Sequence, residues 1–430
     1  MENHDHDDES ENFWGERPPL DFLLENFGRF FQDHDLDHPI IELHAPTPFG
    51  ASPMVPAQTI LGTSGSSQGS SNALKRGIVH KKSIRVVAQE AKDRFSRQYS
   101  GSKVMRRKST KMWGSHLAEV ESVKVMDQSQ QGIYQNPQSG TIKTFQYLKG
   151  GLIGRGSFGR VYHAFNLDTC EMIAIKQVDL PQTLSERNCD RLKTSVEALF
   201  SEMEVLKDLD HENIVQYLGF AQNEETANIF LEYVSGGSIE SCLKRSGPFP
   251  EAVIRSFTRQ ILLGLEYIHS KKIVHRDIKA ANVLVDEQGV CKISDFGISK
   301  RNAQNQGGYD ENVGSLQGSI FWMAPEMVTS KAYGAKVDIW SFGCLVLEMF
   351  TGQQPWKGYA PQQALFTIGN SSAHPPIPEN ISEEGQRFLA RCFITDANLR
   401  PTASELIQDP FAVPPVNFNF NDYIEGKITD

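Results

Sequence analysis

The chain is predicted to be α+β: a small strand-rich segment, then a larger mainly helical one, behind a disordered N-terminal extension. Three observations carry this. From about residue 145, apolar segments alternate and are rich in β-branched residues; after them, apolar residues recur at helical spacing. The residues before 145 segregate instead into charged and small-residue blocks. No internal repeat interrupts the pattern, so one domain over 145–412 with a short tail, 413–430, is the economical division.

The extension divides by charge. Of 430 residues, 43 are Lys or Arg and 53 Asp or Glu, a net −10 that conceals opposites. Residues 1–40 carry −10, 41–74 only Glu42, 75–114 carry +11, and 115–430 carry −10. We divide this region into an acidic, partly apolar segment (1–44), a Pro/Gly/Ser linker (45–74) and a basic regulatory or linker region (75–144). The linker cannot bury enough apolar surface to offset chain entropy. The acidic head is studded with Phe13, Trp14, Leu20, Phe22, Leu23, Leu24, Phe27, Phe30 and Phe31, which suits a short helix that folds on a partner. The cationic block has three readings: a solvated linker, a docking patch for a partner or for the head or folded domain of this chain, where it would restrain activity, or a target of basophilic kinases at Ser100, Ser109 and Thr110.

An acidic average opposes general binding to nucleic acid or anionic membranes. No apolar run approaches the roughly 18 residues of a membrane span. The opening MENHDHDDESE is the reverse of a cationic signal peptide. Cys170, Cys189, Cys242, Cys291, Cys344 and Cys392 form no CxxC pair, so reduced thiols in a soluble, cytoplasmic protein are expected.

Gly154-Arg155-Gly156-Ser157-Phe158-Gly159-Arg160-Val161 matches G-x-G-x-x-G-x-V. Dinucleotide folds share its first six positions but open a helix at the third glycine. Here a β-hairpin follows, turning at Asp168-Thr169 and returning through Ile173-Ala174-Ile175-Lys176. Glycines let such a hairpin approach phosphates closely, and Lys176 ends the strand where their oxygens would lie. A helix over 193–209 follows, with an apolar stripe at Val196, Leu199, Phe200, Met203 and Leu206. Glu202 borders the stripe and could orient Lys176; Glu197 and Glu204 are rivals for that role.

An amphipathic helix over 251–270 delivers the chain to His275-Arg276-Asp277-Ile278-Lys279-Ala280-Ala281-Asn282. Asp295-Phe296-Gly297 and Ala324-Pro325-Glu326 come later. With the glycine hairpin and its lysine, these stand in the order of the protein-kinase signatures. Residues 145–412 resemble a complete eukaryotic protein kinase domain, which implies a bilobal fold with a small β-rich N-lobe and a larger helical C-lobe.

The resemblance implies roles that the chemistry explains, since phosphoryl transfer needs positioning and charge neutralisation above all. Asp277 would accept the proton of the attacking hydroxyl, and Lys279 would neutralise the γ-phosphoryl group. Lys176 would hold the α- and β-phosphates of ATP, and Asn282 and Asp295 offer the hard oxygens that Mg²⁺ prefers. Leu231 would be the gatekeeper, with the backbone of Glu232 and Val234 reading the adenine edge. Ile153, Val161, Ala174 and Leu284 would sandwich the ring. A lysine two residues after the aspartate accompanies serine/threonine specificity in the family.

Arg276, beside the base, needs a counter-anion, and phosphorylation of the polar loop before Glu326 would supply one. Ser315 is the expected site for an upstream activating kinase. Ser319 is either a second such site or the hydroxyl that hydrogen-bonds Asp277 and Lys279. Arg400 matches the family arginine that pairs with Glu326.

The phrases His211–Gly219, Gly236–Ile239, Lys292–Lys300 and Gly318–Glu326 are similar to those of fungal MAP kinase kinase kinases. Lys82–Ala88 and Ser109–Trp113 look like the preface of the cell-wall-integrity branch. The resemblance implies a MAP kinase kinase as substrate. A pseudokinase scaffold is the main rival, and the presence of every phosphate, metal and base position weighs against it.

Overall fold

The structure, a computed structural model, describes residues 19–37, 39–40, 82–99, 116–119, 144–156, 159–183, 190–297, 300–301, 319–329, 333–370 and 373–424. After a two-stranded ladder of β1 (Pro39–Ile40) with β2 (Lys82–Ser83), the small lobe is a sheet of six strands in the order β3-β4-β5-β6-β8-β7: β3 (His116–Glu119), β4 (Thr144–Gly156), β5 (Gly159–Asn166), β6 (Glu171–Asp179), β7 (Tyr217–Gln222) and β8 (Thr226–Glu232). All pairs are antiparallel except β3 with β4, which is parallel and begins at His116↔Thr144.

The glycine motif closes the β4–β5 hairpin, with Gly156 opposite Gly159, and the predicted hairpin turning at Asp168-Thr169 is β5–β6. A Cβ on Gly159 would lie 2.6 Å from the Gln177 carbonyl oxygen, so this glycine is required by the close approach of β6. The tip, 157–158, lies outside the described residues.

One long helix, Asp190–Leu206, packs on the sheet, three residues earlier at each end than the predicted span. Leu199 and Leu206 are fully buried and Val196, Phe200 and Met203 line the margin, as the stripe requires. The chain leaves the sheet through the hinge after β8.

The large lobe is helical. Glu251–Ser270 buries Ile254, Phe257, Ile261, Leu265 and Ile268 along one face. Lys336–Thr351 is buried nearly all round from Val337 to Met349 and forms the centre of the lobe. Glu383–Cys392 and the short helix Ala403–Leu406 pack beside these two; Ser382 and Thr402 cap them by accepting backbone N–H bonds. One short hairpin, Val283–Val285 with Cys291–Ile293, and the antiparallel pair of Ile273–Val274 with Lys300–Arg301 that brackets it in sequence carry the loops that face the small lobe. Beyond residue 412 the chain still packs: Phe420 joins the core, and its ring occupies the space a Cβ on Gly289 would need.

Two stretches of the N-terminal extension are folded, although the sequence predicts a disordered extension apart from a short partner-binding helix in the acidic head. Leu20–Glu25 and Phe27–Phe30 form short helices, α1 and α2. Ile84–Tyr99, within the cationic block, forms a third, α3. Among the described residues, no helix is long and apolar enough to cross a membrane.

Candidate active site

Strand β6 and the helix Asp190–Leu206 bring Lys176 and Glu202 together. Register pairs Val161 with Lys176, which aims the lysine under the sheet beside the glycine hairpin. There Lys176 Nζ donates to Glu202 Oε2 at 2.5 Å and to Asp295 Oδ1 at 2.9 Å. Lys176 is 4% and Glu202 1% exposed, whereas Glu197 and Glu204 face solvent; burial thus selects among the three candidate glutamates.

Two carboxylates share one cation here, and the charges set each group's affinity for its proton. Burial alone would lower Lys176, but Asp295 and Glu202 outweigh it and raise the ammonium above its usual range. Burial would raise Asp295, yet Lys176 holds it below the ordinary carboxylate value. Glu202 is pushed up, by burial first and by the Asp295 charge in addition.

The loop 275–282 forms the opposite wall. Asp277 accepts hydrogen bonds from Lys279 Nζ at 2.8 and 2.9 Å, from Ser319 Oγ at 2.6 Å and from Asn282 Nδ2 at 2.8 Å. Lys279 Nζ also donates to Ser319 Oγ at 2.9 Å, closing a triangle. Of its two sequence readings, Ser319 therefore occupies the position of the hydrogen-bonding hydroxyl. Asn282 Nδ2 donates again to the Asp277 carbonyl at 2.8 Å, which turns the amide oxygen away from Asp277.

The loop is anchored from below by two acids that sequence reasoning did not assign. Asp338 is fully buried and accepts from the His275 amide (2.9 Å), the Arg276 amide (2.8 Å) and the His269 ring (2.8 Å). Burial would raise its carboxyl, but the His269 hydrogen bond and charge keep it low. Glu348 accepts from the Ala280 amide (3.1 Å) and Trp322 Nε1 (2.8 Å), and burial pushes it up to about 8. The one available signal was two acids, at 338 and 348, in an otherwise apolar helix. His275, kept neutral by burial, packs edge-on against Phe296 at 4.7 Å between ring centres, tying the loop to Asp295-Phe296-Gly297. Arg276 and Asp295 both adopt positive φ, 73° and 61°, a sparsely populated conformation held by this surrounding packing.

Ile153, Ala174, Leu231, Val234 and Leu284 are buried and Val161 packs against the same core, a continuous apolar wall between the lobes beside the hinge. Glu232 Oε1 accepts from the Gln216 amide at 2.7 Å and pairs with Lys292 at 3.0 Å, so its side chain braces the hinge. Arg400, with no exposed surface, binds Glu326 through both guanidinium nitrogens at 2.8 and 3.1 Å. Arg276 lies over the Tyr333 ring at 5.2 Å. Ser315, Ser100, Ser109 and Thr110 lie outside the described residues.

Asn282 and Asp295 offer oxygen donors alone, and among the described residues no group of three His, Cys, Asp or Glu could cage a metal. Such a sparse, hard set fits Mg²⁺, which keeps waters and phosphate oxygens as its remaining ligands. It does not fit zinc.

Comparison with known proteins agrees with this geometry. Residues 147–412 match the protein kinase domain family. MAP kinase kinase kinase mkh1 of Schizosaccharomyces pombe is 43% identical over 422 residues, covering 95% of this chain and 35% of that protein. Serine/threonine-protein kinase BCK1/SLK1/SSP31 of Saccharomyces cerevisiae is 41% identical over 433 residues, covering 94% of this chain and 28% of that protein. Mitogen-activated protein kinase kinase kinase 2 of Arabidopsis thaliana is 46% identical over 279 residues, covering 64% and 42%. The chain thus spans about a third of the length of the fungal relatives it matches, and their similarity runs through its N-terminal extension. A match over most of the folded residues, with the lysine, both glutamates, the loop aspartate and the buried arginine in their pairings, makes the chain a member of the protein kinase family.

Proposed function

We propose that the chain is a serine/threonine protein kinase that transfers the γ-phosphoryl group of ATP to a MAP kinase kinase, with Mg²⁺ as cofactor. The observation that carries this reading is Lys176 bridging Glu202 and Asp295 across the lobes. This holds a cation, at a fixed height above the loop of Asp277, where polyphosphate would enter. The names of the relatives support the substrate class, and the printed name serine/threonine-protein kinase, together with Lys279, supports aliphatic rather than phenolic hydroxyls as acceptors.

Asp277 orients the substrate hydroxyl and takes its proton as the new bond forms. Lys279, held by Asp277 and Ser319, neutralises charge on the transferred group. Asn282 and Asp295 would hold the metal, which would supply charge to screen the phosphates. Lys176 trades part of its contact with Asp295 for the α- and β-phosphates, while Glu202 keeps it oriented. The apolar wall of Ile153, Val161, Ala174 and Leu284 takes the adenine ring, and the backbone of Glu232 and Val234 its edge. Gly154, Gly156 and Gly159 shape the hairpin above the phosphates. Ser315 is the activating phosphosite of an upstream kinase, and Arg276 its partner. The five described cysteines are free, which supports action in a reducing cytoplasm.

The test is ATP-dependent phosphorylation of a purified MAP kinase kinase, with Asp277→Asn as control. Phosphate incorporated by the parent and lost in that variant is expected. Undiminished incorporation by the variant would remove Asp277 as base.

A further inference from the structure

The acidic head and the cationic block fold against each other. Pro39 and Ile40 pair with Ser83 and Lys82 in a short antiparallel ladder, and the Arg85 amide donates to the Leu36 carbonyl at 2.9 Å. Lys92 pairs with Glu25 at 3.1 Å and Arg85 with Asp37 at 3.0 Å. These ion pairs are largely exposed and contribute register more than stability. The apolar faces do the holding: Leu23, Leu24, Phe27 and Phe31 from the head and Ile84, Val87, Ala88 and Ala91 from α3 close over Leu148, Phe165, Leu167 and Met172 of the small lobe.

This pair of segments touches three parts that must move relative to one another when a two-lobed cleft opens. On strand β4, the His34 ring lies 2.7 Å from the Lys149 carbonyl oxygen. At the hinge, Tyr233 packs against both this cluster and the main core. On the large lobe, the Leu20 amide donates to Glu287 Oε2 at 3.4 Å. A fourth contact reaches the adenine wall. His163 sits directly across the ladder from Ala174, so the two side chains are neighbours on one face of the sheet. The His163 Nε2 atom is 3.1 Å from the Phe30 carbonyl oxygen, and its ring stands edge-on to Phe30 and Phe31. Gly150 is what admits this contact, since a Cβ there would come 2.4 Å from the His163 ring and 3.0 Å from the Phe30 oxygen.

We infer that residues 19–37 and 82–99 form a strut along the hinge that holds the lobes in the nucleotide-binding arrangement. The sequence suggested restraint of activity by the cationic block; the geometry points the other way. The docked segments and the Lys176–Glu202–Asp295 cluster coexist, so docking leaves the helix of Glu202 seated. A strut that favours the competent arrangement raises its population, and apparent nucleotide affinity rises in proportion. Losing it lowers affinity for nucleotide with little effect on the chemical step once nucleotide is bound.

The inference rests on the kinase reading, and the experiment separates the two. Phe31→Ala and Ile84→Asp, in the full chain, loosen the strut without touching the assigned site. Dissociation constants for Mg·ADP by calorimetry, KM for ATP, kcat, and amide exchange over 84–99 are measured for each. Faster exchange over 84–99, a rise of about tenfold in both the ADP dissociation constant and the ATP KM, and kcat within about twofold are expected. Faster exchange with nucleotide affinity unchanged would overturn the inference, as would a raised kcat at constant KM, which marks a restraint. Should Ile84→Asp fail to fold, the milder Phe31→Ala decides. A parent chain that binds no nucleotide would instead count against the kinase reading.

Discussion

Ser319 donates to Asp277 Oδ1 at 2.6 Å while accepting from Lys279 at 2.9 Å, so one hydroxyl joins the assigned base to the assigned cation. A phosphate on Ser319 would set two negative charges against Asp277 and break both bonds. We therefore expect Ser319→Ala to lower kcat about 10- to 100-fold with ATP KM little changed, the range for loss of one positioning contact. Ser319→Thr retains the hydroxyl and should restore most of the rate, whereas Ser319→Glu should be inactive. Steady-state kinetics on a MAP kinase kinase checks all three. An active Ser319→Glu protein would show that Ser319 is a switch instead.

Glu202 makes its ion pair with Lys176 inside the protein, where a neutral replacement changes orientation more than folding. Lys176 keeps Asp295 as a partner in Glu202→Gln, so no buried cation is stranded. The variant should melt close to the parent and lose about 10- to 100-fold in kcat/KM. Glu197→Gln and Glu204→Gln, on the exposed side of the same helix, should match the parent. Equal losses in all three would mean that the helix, not the pair, matters.

The motifs of the site were legible because phosphoryl transfer demands particular residue types at set spacings: Lys176, Asp277, Lys279, Asn282 and Asp295 needed no structure to be singled out. Choosing Glu202 over Glu197 and Glu204 did need one. All three border a single apolar stripe, and only packing against the sheet shows which border is inward. Asp338 and Glu348 stayed hidden for a different reason. Their partners, His275, Arg276 and Ala280, lie more than 60 residues away in the chain. Local pattern carries no trace of such contacts beyond a charged residue in an apolar helix. The strut combines both cases. Leu20, Leu23, Leu24, Phe27 and Phe31 follow helical spacing, and a helix folding on a partner was expected; the partner proved to be the same chain.

Arg400 and Glu326 form a two-pronged pair with the guanidinium also 5.1 Å from the Trp340 ring. Geometry of this kind suits arginine alone, because lysine cannot reach both carboxylate oxygens as a planar fork. Removing one partner leaves the other charge buried. Arg400→Ala should therefore destabilise the large lobe by about 3–5 kcal/mol, and Arg400→Lys should recover only part of it. Urea denaturation followed by tryptophan fluorescence measures this directly. A loss below about 1 kcal/mol would place the pair among weak surface bridges.

Glu348 gives the fold a pH dependence of known sign. Burial raises its carboxyl from the usual 4.5 to about 8, so the fold favours the protonated form. The stability this confers is complete below pH 4.5 and is lost as pH climbs towards 8. Glutamine remains neutral and can still accept from Trp322 and Ala280. Glu348→Gln should thus match the parent near pH 4.5 and exceed it increasingly above, by up to about 5 kcal/mol past pH 8, at about 1.4 kcal/mol per unit. Melting temperatures of the two proteins across pH 5–9 test the claim. A gap that stays constant with pH would mean that Glu348 is ionised throughout, its charge met by Trp322, the Ala280 amide and Lys279.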